Sequence, residues 1–274
     1  MPANSSNSAS AEAQALPVDH PENFPVASWL CPPHLRPAIA AIYAFARAAD
    51  DIADEGDWSP FERLAQLSAF KNELLQNDSA AGLRPDIFKP LHAVVAKYEL
   101  PTNLLSDLLS AFEQDVAASA NGRTYLNLSE LLNYCQRSAN PVGRLLLHLY
   151  GVSDPLALER SDAICSALQL INFWQDLSED IPRGRLYLPQ DLKASMSMPE
   201  LVGLLCQHAH QLMMSGAPLV HQVPGRAGWE LRLVVQGGLR VLEKVERLGT
   251  HVFQTRPRLR AWDFPLMAWR SLWM

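Results

Sequence analysis

Apolar residues recur along this chain at the spacing of amphipathic helices, whereas the two-residue alternation typical of strands hardly occurs. Two segments begin with a capping box and an early proline: Ser59-Pro60-Phe61-Glu62 and Ser197-Met198-Pro199-Glu200. Further helices are predicted over about residues 86–98, 101–118 and 142–150, from Ser129 to Pro141, and for roughly twenty residues up to Gly249. A loop with Pro224, Gly225 and Gly228 should precede the last of these. The pattern predicts an all-α protein.

One predicted helix, which begins near Ala167, contains no glycine or proline before Pro182. Its polar residues fall on one face about a turn apart: Gln169, Asn172, Asp176 and Asp180. Carboxylates four residues apart cost an isolated helix about 0.2–0.5 kcal/mol, so we expect a compensating hard cation. Arg183 and Arg185 follow in the break after the helix. Carboxylates beside arginines favour a metal-bound anion, with a phosphate ester as the leading candidate.

A second ladder of this kind occurs earlier in the chain. Its members follow a 4-4-3-4 spacing along one helical face: Ile39, Tyr43, Arg47, Asp50 and Asp54. A single acidic pair at a helix end is usually a solvated terminus, but two copies favour a shared site. We therefore predict that the two acidic ladders face each other across one cavity. Together they would hold divalent ions against a diphosphate.

Composition limits the other classes. The chain has 274 residues, 48% of them hydrophobic, and shows no linker, which favours one domain over two small ones. Its formal charge is −6 with dispersed cations, which argues against a nucleic-acid partner. There is no HExxH, GxSxG, P-loop or GxGxxG motif, and no Glu-x-x-His pair for a di-iron bundle. Metalloprotease, serine hydrolase and nucleotide-binding functions are therefore disfavoured.

The amino-terminal residues and the cysteines bear on location. Residues 1–19 lack a basic and an apolar signal region and are predicted to be a disordered tail, followed by a helical domain over residues 20–274. Four separated cysteines without a CxxC pair read as reduced thiols. No apolar run reaches the roughly 18–20 residues that span a bilayer. We expect a cytoplasmic protein, with contact at the inner membrane surface left open.

With both ladders in view, the sequence resembles the squalene/phytoene synthase family of head-to-head prenyl synthases, from about His20 to Arg258. The resemblance rests on two aspartate-rich motifs, Asp50-Asp51-Ile52-Ala53-Asp54 and Asp176-Leu177-Ser178-Glu179-Asp180. It also rests on a flap-like segment with Arg183, Arg185 and Tyr187, and on a block with Asp115, Arg123 and Tyr125. This resemblance implies a single-domain helical bundle of the isoprenoid-synthase type around a central cavity.

The resemblance also implies roles for individual residues. Magnesium would be held by Asp50, Asp54, Asn172, Asp176 and Asp180, and Tyr43 and Tyr134 would join the four aspartates as catalytic residues. The implied substrate-binding residues are Arg47, Gln169, Asn172, Arg183, Arg185, Tyr187, Asn23, Ser138 and Asn140. Three further aromatic residues are candidates to line a prenyl tunnel, although ordinary core packing is the more common role: Phe45, Phe173 and Trp174.

Two segments resemble one branch of the family, the hydroxysqualene synthases of bacterial hopanoid biosynthesis: HPENFPVAS at residues 20–28 and YCQRSANPVGRL at residues 134–145. This implies presqualene diphosphate as the substrate, with water trapping the rearranged cation. Gln175 stands where many condensing members have arginine, and residues 138–141 are more polar than in those members. Two alternatives stay open, a synthase that condenses farnesyl diphosphate and a non-catalytic scaffold. Other enzymes of the squalene pathway are possible partners.

The carboxyl-terminal stretch, residues 256–274, interleaves arginine with aromatic residues: Arg256, Arg258, Arg260 and Arg270 with Trp262, Phe264, Trp269 and Trp273. This combination suits a headgroup boundary, so the stretch is predicted to make peripheral membrane contact. The alternative is a terminal helix that docks on the domain and buries its tryptophans.

Overall fold

The structure is a computed structural model that describes residues 31–76, 84–122 and 124–274. Within these ranges the chain forms twelve α-helices and no β-strand, which confirms the predicted all-α class. The helices are α1 (Arg36–Asp54), α2 (Pro60–Leu75), α3 (Pro85–Tyr98), α4 (Thr102–Asn121), α5 (Leu128–Ser138), α6 (Asn140–Leu149), α7 (Pro155–Gln175), α8 (Leu177–Asp180), α9 (Gln190–Ser195), α10 (Met198–Gly216), α11 (Gly225–Leu248) and α12 (Asp263–Leu272). None of them is long and apolar enough to cross a bilayer. The predicted tail, Asn23 and Arg123 lie outside the described residues.

Both predicted capping boxes are present. Ser59 Oγ accepts a hydrogen bond from the backbone of Glu62, whose carboxylate accepts from the backbone of Ser59 at 2.8 Å. Ser197 and Glu200 make the same reciprocal pair at the start of α10. These caps satisfy amide groups that the first helical turn leaves without intrahelical partners. Local sequence therefore determines where α2 and α10 begin.

Two other helix starts differ from the prediction. Helix α5 is capped by Asn127, which accepts from the backbone of Glu130 at 2.9 Å, so it begins before Ser129. Helix α11 begins at Gly225 and includes Gly228, which the pattern had placed in a loop. A Cβ at Gly228 would lie 2.7 Å from the carbonyl oxygen of Val223. The glycine is therefore required by close backbone packing and does not end the helix.

The predicted ladder helix is interrupted at Asp176, where the backbone leaves helical geometry with φ −98° and ψ 8°. Neither glycine nor proline marks this position. The buried side chain of Gln175 donates to the carbonyl oxygen of Pro257 at 2.7 Å, and Arg256 pairs with Asp176. The break thus coincides with contacts from a segment eighty residues later in the chain. The hydrogen bond from Asp180 N to Asp176 O, 2.8 Å, keeps the short helix α8 next to α7.

Apolar side chains form two core clusters, one on each side of the predicted cavity. The first surrounds α1, where Phe45, Phe70 and Phe88 pack with ring centroids 4.6–6.0 Å apart. The second surrounds α7 and includes the fully buried Trp174. Helix α6 contributes to both, since Leu145 and Leu149 belong to the first cluster and Leu147 to the second. The two ladder helices are therefore held by different cores and face the space between them.

Helix α12 docks on α11 through a buried carboxylate. Asp263 is fully buried and accepts hydrogen bonds from Arg240 at 2.7 Å, from Lys244 at 2.6 Å and from the backbone of Arg260 at 2.7 Å. Burial alone would raise the pKa of Asp263, but the hydrogen bonds from Lys244, the backbone of Arg260 and Arg240 outweigh it and lower that pKa to about 2. The ion pairs therefore favour the docked helix at neutral pH.

We expect Asp263→Asn to lower the free energy of unfolding by about 3 kcal/mol at pH 7, because it removes the buried partner of two cations. Because the pKa of Asp263 is lower in the folded protein than in the unfolded chain, its carboxylate stabilises the fold at pH values above the ordinary pKa near 4. This stabilisation is lost as the pH falls through about 2. Urea unfolding of both proteins at pH 7 and pH 3 checks this, since the stability difference should narrow at the lower pH. If the free energies of unfolding of the two proteins differ equally at both pH values, the charge of the Asp263 carboxylate is not the source of the stabilisation.

Candidate active site

The structure brings the two acidic ladders to one pocket of about 480 Å³ between α1 and the α7–α8 junction. Its lining contains Arg47, Asp50, Asp54, Phe112, Asp115, Tyr134, Ser138, Gln169, Asn172, Phe173, Asp176, Asp180, Arg185, Tyr187 and Arg256. All four ladder aspartates predicted from sequence are in this set. Helical spacing therefore selected the faces that meet, although the second ladder spans the break between α7 and α8.

On the first ladder, each carboxylate is paired with a guanidinium. Arg47 Nη1 lies 2.9 Å from Asp50 Oδ2, and Arg47 Nη2 lies 2.7 Å from Asp51 Oδ1 on the same helix. Arg185 Nη2, from the segment after α8, lies 2.6 Å from Asp54 Oδ1. The contact between Arg185 and Asp54 joins the flap-like segment to the opposite ladder. Both arginines are thus positioned to contact an anion that enters between the ladders.

On the second ladder, Asp176 is paired with Arg256, which reaches it through two hydrogen bonds, one of them 3.2 Å from Nη2 to Oδ2. The sequence prediction had placed Arg256 in a membrane-contact segment, whereas the structure places it in the pocket. No local signal could reveal this, because the two residues lie eighty positions apart. Arg256 is thus a site residue that sequence reasoning missed.

The carboxylates of the pocket repel one another in a partly buried space. Burial and the charge of Asp54 raise the pKa of Asp50 to about 6. Burial and the charge of Asp176 likewise raise the pKa of Asp180 to about 6, and burial raises the pKa of Asp176. Raised values mean that the charged forms lack sufficient compensation. An additional cation in this pocket would therefore be stabilised.

Aromatic rings form one wall of the pocket. Tyr187 stacks on Phe173 with centroids 3.9 Å apart and planes 10° apart, and Tyr134 lies beside both rings. Tyr134 donates a hydrogen bond of 2.6 Å to Asp115. Burial raises the pKa of Asp115 to about 7, although the Tyr134 hydrogen bond opposes this. Phe173 thus lines the pocket, whereas Phe45 packs among other core rings.

An apolar cavity of about 360 Å³ adjoins the acidic pocket. Tyr43 lines this cavity, one helical turn before Arg47, which lines the pocket. On the opposite side Leu168 lines the cavity and the next residue, Gln169, lines the pocket. The structure therefore places Tyr43 in the apolar cavity and not beside the aspartates. A ligand with a charged head and a long apolar chain would fit across both spaces.

Several predicted residues lie outside the acidic pocket. Arg183 is exposed in the turn after α8, and Asn23 is not among the described residues. Asn140 lines a separate polar pocket, and its amide lies 2.8 Å from Ser166 Oγ. Ser138, only two residues earlier, does line the acidic pocket, and its buried Oγ has no hydrogen-bond partner within the part of the chain that the structure describes. The turn at Ala139 sends the two side chains to different pockets.

Gln175, which stands where many condensing members of the family have arginine, has a structural role. Its side chain is buried against Pro257 and does not line the pocket. The residue therefore fixes the α7–α8 junction through a backbone hydrogen bond. It does not by itself alter the set of groups that face a ligand.

The donor set of the pocket suits Mg²⁺, although it does not form a complete metal site. Among residues 31–76, 84–122 and 124–274, no group of three or more acidic, histidine or cysteine side chains is clustered closely enough to hold an ion. Magnesium prefers carboxylate and phosphate oxygens and retains part of its water. The aspartates with raised pKa values, together with the Asn172 amide, fit this preference. Further ligands would have to come from water and from substrate phosphate.

The fold and the pocket define an all-α protein of the isoprenoid-synthase type, in which two acidic helix ends meet beside an apolar cavity. A sequence profile described as squalene/phytoene synthase matches residues 18–263. The chain belongs to the squalene/phytoene synthase family.

Individual relatives differ in the activity that their names give. The hydroxysqualene synthase of Sinorhizobium fredii is 35% identical over 217 residues, which cover 74% of this chain and 71% of that protein. A 15-cis-phytoene synthase of a Paracoccus species is 30% identical over 243 residues, covering 80% and 78%. The crystal structure of squalene synthase HpnC from Alicyclobacillus acidocaldarius matches with a TM-score of 0.73 and 33% identity, over 82% of this chain and 88% of that one. Related proteins in this family are enzymes.

Proposed function

We propose that this protein is a magnesium-dependent hydroxysqualene synthase that converts presqualene diphosphate and water into hydroxysqualene and diphosphate. The observation that carries the proposal is the acidic pocket, with its two ladders and three arginines, next to an apolar cavity. Similarity to proteins named hydroxysqualene synthase supports the choice within the family. Retention of all four ladder aspartates disfavours a purely scaffolding role.

Binding of the diphosphate follows from the charges of the pocket. Asp50, Asp54, Asp176 and Asp180, with the Asn172 amide, would hold Mg²⁺, which supplies charge neutralisation to the leaving diphosphate. Arg47, Arg185 and Arg256 would exchange part of their contact with the aspartates for contact with phosphate oxygens. The electron pair of the breaking C–O bond leaves with the diphosphate, whose growing negative charge these arginines stabilise.

The carbocation that remains needs π faces and the exclusion of stray water. The rings of Tyr134, Phe173 and Tyr187 present such faces in the wall of the pocket. Burial raises the pKa of Tyr134 and the pKa of Tyr187 above the ordinary value, so both phenols stay neutral at physiological pH. Neutral aromatic rings stabilise the cation without acting as nucleophiles.

Water capture completes the reaction. The oxygen of one water molecule bonds to the cation, and its released proton passes to the departing diphosphate, so no separate general base is required. Ser138 Oγ is a buried hydroxyl in the pocket without a hydrogen-bond partner among the described residues, and it can donate to or accept from such a water. We therefore assign the positioning of the attacking water to Ser138 and not to Asn140.

Ser138→Ala is expected to lower the ratio of alcohol to hydrocarbon products about tenfold, because one hydrogen bond that orients the water is lost. Mass spectrometry of the products from presqualene diphosphate measures this ratio. Asn140→Gly serves as the matched control, since it lies two residues away and faces another pocket. It should reduce thermal stability and leave the product ratio unchanged. The reverse pattern, with a shift in the product ratio only in Asn140→Gly, would assign the water-positioning role to Asn140 instead of Ser138.

The proposal itself is tested by incubating the purified protein with Mg²⁺ and either presqualene diphosphate or farnesyl diphosphate alone. Formation of hydroxysqualene from the first substrate and no product from the second is expected. Presqualene diphosphate, squalene or another condensation product from farnesyl diphosphate alone would instead identify a condensing synthase. The similarity to a phytoene synthase is the reason for testing a condensing activity as the alternative.

A further inference from the structure

Helix α12 docks on the domain but leaves its tryptophans exposed. Its buried residues follow a four-residue spacing along one face: Asp263, Met267 and Ser271. Trp269 lies on the opposite face, Trp262 and Trp273 flank the helix at its two ends, and Trp273 is 76% exposed. The structure therefore combines features of both sequence predictions, a docked helix and an exposed aromatic surface.

A second element extends this surface. Trp229, exposed in the first turns of α11, carries the guanidinium of Arg232 over its ring at 4.4 Å. The same Arg232 donates to the carbonyl oxygen of Ser271 on α12 and lies 3.3 Å from His221. These contacts connect the exposed ring of α11 with α12. We call the combined surface the aromatic patch: Met214, Trp229, Trp262, Trp269 and Trp273.

The charge of the aromatic patch favours a lipid surface over a second copy of the chain as its binding partner. Three of the four arginines in residues 256–274 pair with carboxylates: Arg256 with Asp176, Arg258 with Glu179 and Arg270 with Glu243. The positive charge beside the exposed indoles therefore comes from Arg260 and from Arg232 of α11. Arg260 lies over the ring of Trp262 at 5.0 Å, so cation and indole meet at the surface. A two-fold contact between copies of the chain would place these like charges opposite one another. Anionic lipid headgroups would neutralise them, and indole rings are favoured at that depth.

The aromatic patch also lies against the wall of the apolar cavity. In the turn between α10 and α11, Leu219 lines the cavity, while Pro218 and His221 line the surface depression that contains Trp269 and Trp273. Helix α11 repeats this arrangement. Its residues Ala227 and Leu231 line the cavity, while Trp229 between them is exposed. One thin layer of chain, residues 217–231, therefore separates the cavity from the surface.

We propose that the aromatic patch binds the surface of an anionic lipid bilayer, and that this orients the 217–231 wall of the apolar cavity toward the lipid. Docking as such requires only the exposed indoles and the two arginines beside them, Arg232 and Arg260. The benefit of the orientation rests on the proposed function, because a C30 chain has to pass between bilayer and cavity. The wall faces the phase in which such a chain dissolves.

The test measures co-sedimentation of the full chain with vesicles of phosphatidylcholine, with and without phosphatidylglycerol. Trp269→Ala/Trp273→Ala should weaken binding to the anionic vesicles about tenfold, because two interfacial indoles are lost. Phe61→Ala, which removes an equally exposed ring from α2 on another part of the surface, should bind like the unmodified protein. Pure phosphatidylcholine vesicles should bind the unmodified protein more weakly than anionic ones.

Unchanged vesicle binding of the double variant would overturn the proposal. Sedimentation velocity tests the alternative that a second copy of the chain binds the aromatic patch. If the unmodified protein is a dimer, the double variant is a monomer and vesicle binding is unaffected, the patch is a subunit interface. If the double variant unfolds at a lower temperature than the unmodified protein, the unmodified protein is tested with brominated lipids instead. These lipids should quench its tryptophan fluorescence, and absence of quenching would refute docking. The vesicle-binding assay uses no substrate. Its result therefore stands even if product analysis refutes the proposed function.

Discussion

Asp50→Asn and Asp176→Asn are each expected to lower kcat by about 10³-fold while leaving the fold intact. Both residues line the acidic pocket, one on each ladder, and an amide cannot replace the negative charge that a divalent ion and the ladder arginines require. The pKa values of both carboxylates are raised, chiefly by burial, so neutral replacements should cost the folded state little.

The measurement combines the magnesium-dependent rate of diphosphate release with the thermal midpoint of each variant. Asp57→Asn is the matched control, because it neutralises an exposed carboxylate in the same acidic stretch but outside the pocket. Its rate should stay within about twofold of the unmodified protein. Asn variants at the ladder positions that keep both normal stability and a near-normal rate would refute the metal-site assignment.

Leu146→Trp is expected to lower kcat/KM for presqualene diphosphate about 10²-fold, because the indole fills the apolar cavity that should hold the prenyl chain. Diphosphate release from a short prenyl diphosphate should fall much less, since the acidic pocket is unchanged. Comparison of the two substrates therefore separates blockage of the cavity from damage to the pocket. Leu204→Trp, on the exposed face of α10, is the control and should affect neither substrate.

A parallel loss with both substrates would mean that the substitution disturbs the whole protein. An unchanged kcat/KM for presqualene diphosphate would place the prenyl chain elsewhere. In the first case a second lining residue, Leu231, is replaced instead. In the second case the apolar cavity does not hold the prenyl chain.

The acidic ladders could be predicted from sequence because helical geometry alone determines which residues share a face. Residues Asp50 and Asp54 repeat at that spacing, and their helix ends at Asp54, in an acidic stretch before the capping box of α2. That the two ladders would meet followed from their common chemistry. The outcome needed no knowledge of the connecting chain.

The remainder of the site depends on tertiary contacts that no local pattern encodes. Arg256 reaches Asp176 across eighty positions, and the break beside Asp176 coincides with a hydrogen bond from Gln175 to Pro257. Ser138 and Asn140 are two residues apart but enter different pockets, because Ala139 turns the chain between α5 and α6. Short-range sequence reasoning treats such neighbours as one polar group and cannot separate them.

The carboxyl-terminal stretch illustrates an intermediate case. Its alternation of arginine and tryptophan indicated an amphipathic surface, and α12 does present its tryptophans outward. The pattern did not show that Asp263 anchors the helix through Arg240 and Lys244. A buried charge is stable only when its partners are in place, and these partners belong to a different helix.

Under the proposed function, one pre-joined C30 diphosphate is ionised in the acidic pocket and water captures the cation. Incubation of the protein with presqualene diphosphate and Mg²⁺ in ¹⁸O-labelled water tests this most directly. We expect hydroxysqualene whose hydroxyl oxygen carries the label, with one diphosphate released per alcohol. A hydrocarbon as the main product, or an alcohol that retains unlabelled oxygen from the substrate, would contradict it.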